Sequence, residues 1–218
     1  MTPAALAGQR PPAGEFAVRS SAVPFTGAVL TLRSDVLAMP DGRDAQRDFV
    51  VHPGAVAVVA LRGGPGAEEV LLVRQYRHPV AQLLWELPAG LLDKPGEPAS
   101  ETAVRELAEE AHLAADTWGV LVDTLTSPGG SDEAVRVFLA RDVRDAQPDG
   151  DFVAEGEESS MTTAWVSLSL AVDAVLSGAL QNALACVGLL AADRSRAGGF
   201  SSLRPVTSPW PARPAHAG

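Results

Sequence analysis

The sequence predicts an α/β protein: a layered α/β/α domain preceded by a small N-terminal antiparallel β unit. Three observations lead there. Apolar runs of strand length are mixed along the chain with segments patterned as helices, and no internal repeat is present. The chain has 218 residues, 46% of them hydrophobic and 20% charged, which suits one main folded core and excludes disorder of the whole chain. Residues 16–52 carry short apolar runs on either side of the turn-forming PDGRD, the pattern of a separate antiparallel layer.

Taken in order, residues 1–15 are rich in Pro, Ala and Gly and lack the apolar core of a secretory signal, so they read as a flexible lead-in to the β unit at 16–52. From Pro53 the runs AVAVVAL and VLLVRQY are continuously aliphatic and flank the turn-like RGGPGAEE, as expected of central strands buried on both faces. After Gly90 come a loop, LLDKPGE, and the segment SETAVRELAEEAHL, whose strong helix formers and Ser100 before an acidic turn predict a helix capped by that serine. GVLVDTLTS and AVRVFLARDV resume strand character around PGGSDE. DGDFVAEGEESS reads as an acidic loop, TTAWVSL as one more strand, and LAVDAVLSG and LQNALACVGLLAADR as two helices. The main domain therefore spans 53–196, followed by a Pro-rich tail at 197–218.

Charge narrows the function. Lys and Arg total 17 against 27 Asp and Glu, a net −10 that repels phosphate backbones and anionic membrane surfaces, so neither nucleic acid nor membrane is expected as a partner. An acidic protein still binds a polyphosphate when divalent cations lie between its carboxylates and the ligand. The single cysteine, Cys186, excludes an intrachain disulfide and a thiolate-based zinc site, and a reducing cytoplasm is the expected setting.

Within the predicted helix, Glu106, Glu109 and Glu110 share one stripe, because positions three and four apart are neighbours on a helix. Such a stripe is by itself compatible with a solvated face. Its frame is more specific: Gly90 after ELPA, Glu97 behind a Pro-Gly turn, then Arg105-Glu106-Leu107-Ala108-Glu109-Glu110, closed by Leu113. This pattern resembles the Nudix box, and the chain resembles the ADP-ribose pyrophosphatase branch of the Nudix hydrolases in its actinobacterial-like form. Two positions depart from the common box. Six residues rather than five separate Gly90 from Glu97, and His112 stands where a glycine is usual, at a helix end that calls for a left-handed backbone.

The resemblance implies a Nudix α/β/α sandwich with a mixed β-sheet and metal-dependent cleavage of the diphosphate of ADP-ribose or another ADP-sugar, giving AMP and ribose 5-phosphate. Mg²⁺, with Mn²⁺ as an alternative, would be held by Glu106, Glu109, Glu110 and the Ala89 carbonyl, since hard cations take oxygen ligands. Gly90, Glu97 and Arg105 would be structural parts of the box, with Arg105 and Glu97 pairing to hold the loop on the helix. The general base would come from the late acidic loop, which offers Glu155, Glu157 and Glu158, with Glu157 or Glu158 preferred, and Glu109 would be a further catalytic residue, as a metal ligand or a group supporting the ligands.

The flanks RQYRHPV and WELPAG resemble the same branch and nominate Arg77 for phosphate or ribose, a surface ion pair being the equal alternative. Pro128, Gly129 and Gly130 are candidates for the substrate, and Arg47 for the adenine end, with Phe25 or Phe49 available to stack. A homodimer using the N-terminal β unit is implied as well. Two alternatives stay open: a Nudix hydrolase for another nucleoside diphosphate derivative, and a protein that binds ADP-ribose without cutting it.

Overall fold

A computed structural model of the chain describes residues 2–147, 161–211 and 213. The chain resolves into two compact units, one of Met1–His52 with Gly129–Asp132 and one of Pro53–Pro128 with Glu133–Gly218.

The first unit is an antiparallel sheet of β1 (Val18–Thr26), β2 (Thr31–Ala38) and β3 (Asp44–Val51), in that spatial order. PDGRD makes the β2–β3 turn. Gly42 takes a positive φ of 81°, and the Asp41 carboxylate accepts from the Arg43 amide at 3.1 Å. The segment after Pro128 runs along β3: the Val50 amide donates to Gly130 O at 2.9 Å, and Asp132 N donates to Val50 O at 3.1 Å. The Asp132 carboxylate accepts from the His52 amide at 2.8 Å. Gly129 and Gly130 thus belong to this unit, although the sequence pattern groups them with the strands at 113–145. Hydrogen bonding between segments some 80 residues apart leaves no trace in local composition. Every residue of β1 is exposed, including Val18, Val23 and Phe25.

In the second unit β4 (Ala55–Arg62) is the central strand of a mixed sheet. It runs parallel to β9 (Ala134–Asp145) and antiparallel to β5 (Glu69–Arg77) and to the short β7 (Ala89–Leu91). The edges are β8 (Leu113–Leu125), on β9, and β10 (Thr162–Ser167), on β5, while β6 (Gln82–Glu86) also pairs with β5. Residues 55–61 are all buried because helices cover both faces, which is why AVAVVAL has no polar alternation. Ala55, Ala57, Val59 and Leu61 face the side of α2 (Leu168–Leu176) and α3 (Ala183–Arg196), and Val56, Val58 and Ala60 face α1 (Ala99–Ala111). On α3, a Cβ at Gly188 would meet Leu87 Cδ1 at 2.7 Å, so the glycine lets the helix lie close to the sheet. No helix among the described residues is long and apolar enough to cross a membrane.

Three details differ from the sequence expectation. Helix α1 starts two residues earlier than a Ser100 cap requires: its N-cap is Pro98, with no side-chain cap bond, and Ser100 lies inside the helix. Proline fixes the entry backbone here, and the Thr102 hydroxyl donates instead to the Glu97 carboxylate at 2.8 Å. Strands β6 and β7 come from a stretch that reads as a motif rather than as strands, because each is short and takes its pairing from β5 and β4. The tail, Pro-rich as it is, folds back on the sheet. Val120 and Arg204 exchange backbone bonds at 2.8 and 3.1 Å, and the buried Arg136 donates to the carbonyls of Ser208 and Pro209 while lying 4.9 Å from the Trp210 ring.

Candidate active site

The site is built where β7 meets α1. Register with the central strand pins the backbone, since Ala57 pairs with Ala89 and Val56 with Gly90. One step earlier, Pro88 O accepts from the Val58 amide at 2.8 Å. The connecting loop turns at Gly96, φ 80°, and delivers Glu97 to the start of α1. Ala103 and Leu107 are fully buried against the sheet, which fixes the roll of α1 and leaves Glu106, Glu109 and Glu110 half-buried along its flank. Burying Leu107 alone contributes about 2 kcal/mol to holding that orientation.

A single guanidinium organises the acids. Arg105 forks onto Glu97, with Nε to Oε1 and Nη2 to Oε2 both at 3.1 Å. Its Nη1 donates to Glu106 Oε1 at 2.7 Å and to Glu109 Oε2 at 2.8 Å. The hydrogen bonds from Arg105 hold the Glu97 carboxyl below its usual range, and those same bonds push the Arg105 guanidinium further up. Glu110 takes a different partner, accepting from the Ala89 amide through Oε2 at 3.0 Å. Glu106 lies flat on Gly90: a Cβ there would come within 2.0 Å of its Cδ and Oε1. Only glycine admits a carboxylate this close to the backbone.

The donor chemistry fits a hard divalent cation, being oxygen throughout, and Arg105 Nη1 already shows Glu106 and Glu109 sharing one cationic centre. Among the described residues, however, no three acidic, His or Cys side chains converge into a ready cage. Glu106 and Glu109 are turned to Arg105, through Oε1 and Oε2, and Glu110 to the Ala89 amide through Oε2.

Other candidates are placed as follows. His112 closes α1 in the left-handed conformation, φ 54° and ψ 41°, with its amide bonded to Ala108 O. This is the backbone that the box glycine normally supplies, and histidine tolerates it. Arg77, on β5, forks onto Glu86 of β6, Nε to Oε1 at 3.0 Å and Nη2 to Oε2 at 2.7 Å, and Glu86 is buried. Sequence reasoning left Glu86 unassigned. Its place between two motif letters, Trp85 and Leu87, concealed that it is the anion for Arg77. Arg47 lies on β3 and donates to Gln46 O at 2.8 Å. Gly129 and Gly130 belong with it to the first unit, whereas Pro128 belongs to the second. Glu155, Glu157 and Glu158 lie outside the described residues.

A buried charge cluster also escaped the sequence reading. Asp123 on β8 receives Arg136 through Nε and Nη2, at 2.7 and 3.1 Å, and Arg204 of the tail at 2.9 Å. Burial alone would raise the Asp123 pKa, but hydrogen bonds and charge from the two arginines prevail and hold it low.

The model of the NUDIX domain matches residues 51–183, more than half of the chain. The protein belongs to the Nudix family. Nudix hydrolases generally use a divalent metal, in keeping with the oxygen-rich edge of α1. This Nudix chain is 44% identical, over 200 residues, to an ADP-ribose pyrophosphatase of Mycobacterium tuberculosis, a match covering 92% of the chain and 93% of the relative. It is 40% identical over 119 residues to an ADP-ribose pyrophosphatase of Bacillus subtilis, covering 55% of the chain and 62% of that protein. A solved structure described as an ADP compounds hydrolase shares the Nudix fold, with a TM-score of 0.71 and 19% identity over 85% of this chain and 96% of that one.

Proposed function

We propose that this Nudix hydrolase cleaves the diphosphate of ADP-ribose, or of a closely related ADP-sugar, to AMP and ribose 5-phosphate. One observation carries the reading: Glu106, Glu109 and Glu110 lie along one edge of α1, the first two bonded to Arg105 Nη1 and the third to the Ala89 amide, with Glu106 against Gly90. That arrangement occurs in a chain 44% identical to an ADP-ribose pyrophosphatase over nearly its whole length.

Glu106, Glu109, Glu110 and the Ala89 carbonyl would hold Mg²⁺, or Mn²⁺ in its place, and the bound cation supplies neutralisation of the diphosphate and of the departing phosphate. The chain's own residues do the rest. Arg105 and Glu97 hold α1 to its loop, and Gly90 gives Glu106 room against the backbone. Glu157 or Glu158 takes the proton of the attacking water. Arg77, paired with Glu86, is assigned to phosphate or ribose oxygens by resemblance, a guanidinium fork matching those oxygens. Arg47, Pro128, Gly129 and Gly130 are assigned to the substrate by resemblance. A homodimer is supported by β1, whose exposed Val18, Val23 and Phe25 form an apolar edge strand of the kind that proteins cover. The lone thiol supports a cytoplasmic setting.

The test is AMP release from ADP-ribose, followed by chromatography with and without Mg²⁺, alongside nucleoside triphosphates, dinucleoside polyphosphates and other nucleotide sugars compared by kcat/KM. Glu106→Gln and Glu110→Gln each lower kcat by roughly 10²-fold or more. Intact ADP-ribose after incubation with either metal, or a clear preference for a triphosphate, refutes the reading.

A further inference from the structure

The ion pair between Arg77 and Glu86 does not join strand neighbours. In the β5–β6 ladder Arg77 stands opposite Gln82 and Glu86 opposite Val73, so the two are four residues, or about 13 Å, apart along the strands. Side-chain pairs that tie two strands together use directly opposed positions, as Arg74 does with Trp85, its guanidinium 5.9 Å from the ring. Arg77 instead extends back along β5 to reach the carboxylate. There Nε meets Oε1 and Oε2 at 3.0 and 3.2 Å, and Nη2 meets Oε2 at 2.7 Å.

The carboxylate is the fixed member of the pair. Glu86 is 3% exposed and lies opposite the buried Val73, while the Arg77 side chain keeps 42% of its surface. Stability does not account for a buried ion at this position, because an apolar residue beside Val73 avoids a desolvation cost that the attraction of the pair at best offsets. What the fork fixes is place. Alternation puts Val73 and Arg77 on the face of β5 where Leu71 packs with Ala103 and Leu107 of α1. Glu86 comes three residues before Ala89, whose amide donates to Glu110. The fork therefore draws the guanidinium from the end of β5 toward the backbone that supports the box glutamates.

We propose that Glu86 is a positioning residue for the hydrolysis: its buried carboxylate holds Arg77 beside the box segment in one orientation, so that the guanidinium meets the oxygens of the bound substrate already ordered. A long side chain released from the fork samples many rotamers, and the ordering that the substrate must then impose weakens its binding. Glu86 itself touches no substrate, and its effect passes entirely through Arg77. The inference rests on the hydrolase reading above.

Two measurements on the full chain separate this role from a structural one: KM and kcat for AMP release from ADP-ribose with Mg²⁺, and calorimetric binding of the uncleavable α,β-methylene analogue of ADP-ribose. Glu86→Gln, close in shape but uncharged, raises KM and the Kd of the analogue roughly tenfold with kcat within about threefold of wild type. Loss of strand support alone lowers the urea unfolding midpoint and leaves KM and Kd where they were. Arg77→Ala weakens both at least as much, and adding Glu86→Gln to Arg77→Ala weakens neither by more than about a further twofold. Glu86→Asp keeps the charge but withdraws it by one methylene; it raises KM at least about threefold and serves if Glu86→Gln does not fold. Unchanged KM and Kd in a folded Glu86 variant, or a Glu86→Gln effect that persists undiminished without Arg77, overturns the positioning role while wild-type hydrolysis stands. A wild-type chain that neither cleaves ADP-ribose nor binds the analogue overturns the hydrolase reading, and the positioning role with it.

Discussion

Replacing Gly90 by alanine separates the geometry of the site from the stability of the fold. The backbone of Gly90 is not in the left-handed region, so alanine is conformationally allowed, and the nearest obstacle is the Glu106 carboxylate 2.0 Å from the new Cβ. Ordinary contact begins near 3.4 Å, so the carboxylate must retreat by 3.4 − 2.0, or about 1.4 Å. That displacement breaks its 2.7 Å bond to Arg105 and carries its oxygens away from Ala89 and Gly90. The two stability terms oppose each other. Alanine restricts the unfolded chain and gains about 0.4–1 kcal/mol, whereas the lost charge-assisted bond costs about 1.5–3 kcal/mol. Arg105 retains Glu97 and Glu109, so the net loss is about 0.5–2.6 kcal/mol, a fall in Tm of no more than about 10 °C. Catalysis is more sensitive, because a misplacement of ~1 Å in a reacting constellation costs roughly 10²-fold. Paired measurements of thermal unfolding and of kcat/KM for AMP release at saturating Mg²⁺ read the two effects separately. Activity within about threefold of wild type in folded Gly90→Ala protein would show that Glu106 is not positioned for chemistry.

Three further outcomes follow from the same structure. Glu157→Gln or Glu158→Gln lowers kcat by roughly 10²-fold with KM little changed, and normal turnover in both variants removes the acidic loop from the mechanism. Arg105→Ala, which strips three carboxylates of a shared partner, lowers stability by about 1–3 kcal/mol in urea unfolding, and a change below about 0.3 kcal/mol would show the acids to be independently held. Asp123 has a folded pKa below its unfolded value, which is about 3.9, so its contribution is complete above that pH and is lost as pH falls through the depressed folded value. The stability gap between wild type and Asp123→Asn should therefore be constant from about pH 5 to 7 and close only below about pH 4. A gap that closes near neutrality would implicate a different group.

What could be read without coordinates was local. AVAVVAL and VLLVRQY announce central strands because burial on both faces removes polar residues from every position, and the glutamate stripe is visible because helical periodicity is a property of consecutive residues. The Arg105–Glu97 fork was legible as a pairing because both residues fall at fixed box positions. By contrast, the partner of Arg77 was left open between a ligand and an ion pair. Glu86 is nine residues away, on a strand that exists through pairing with β5. The tail reads only as Pro-rich, since Pro, Ser and Gly signal no regular element. Its anchorage depends on Asp123 and Arg136, which a sequence reader meets 81 residues before Arg204 and 72 before Ser208 as ordinary strand charges.

Sequence alone therefore determined the long central strands and the helices, the acidic edge of α1 and the left-handed end at His112, all of which rest on spacing within one segment and on local steric preference. Tertiary structure decided which cations neutralise which acids, that Gly129 and Gly130 run beside β3, and that Glu106 lies against the Gly90 backbone. Those outcomes depend on electrostatic and van der Waals contacts that fall off within a few ångströms, between residues that only the folded chain brings that close.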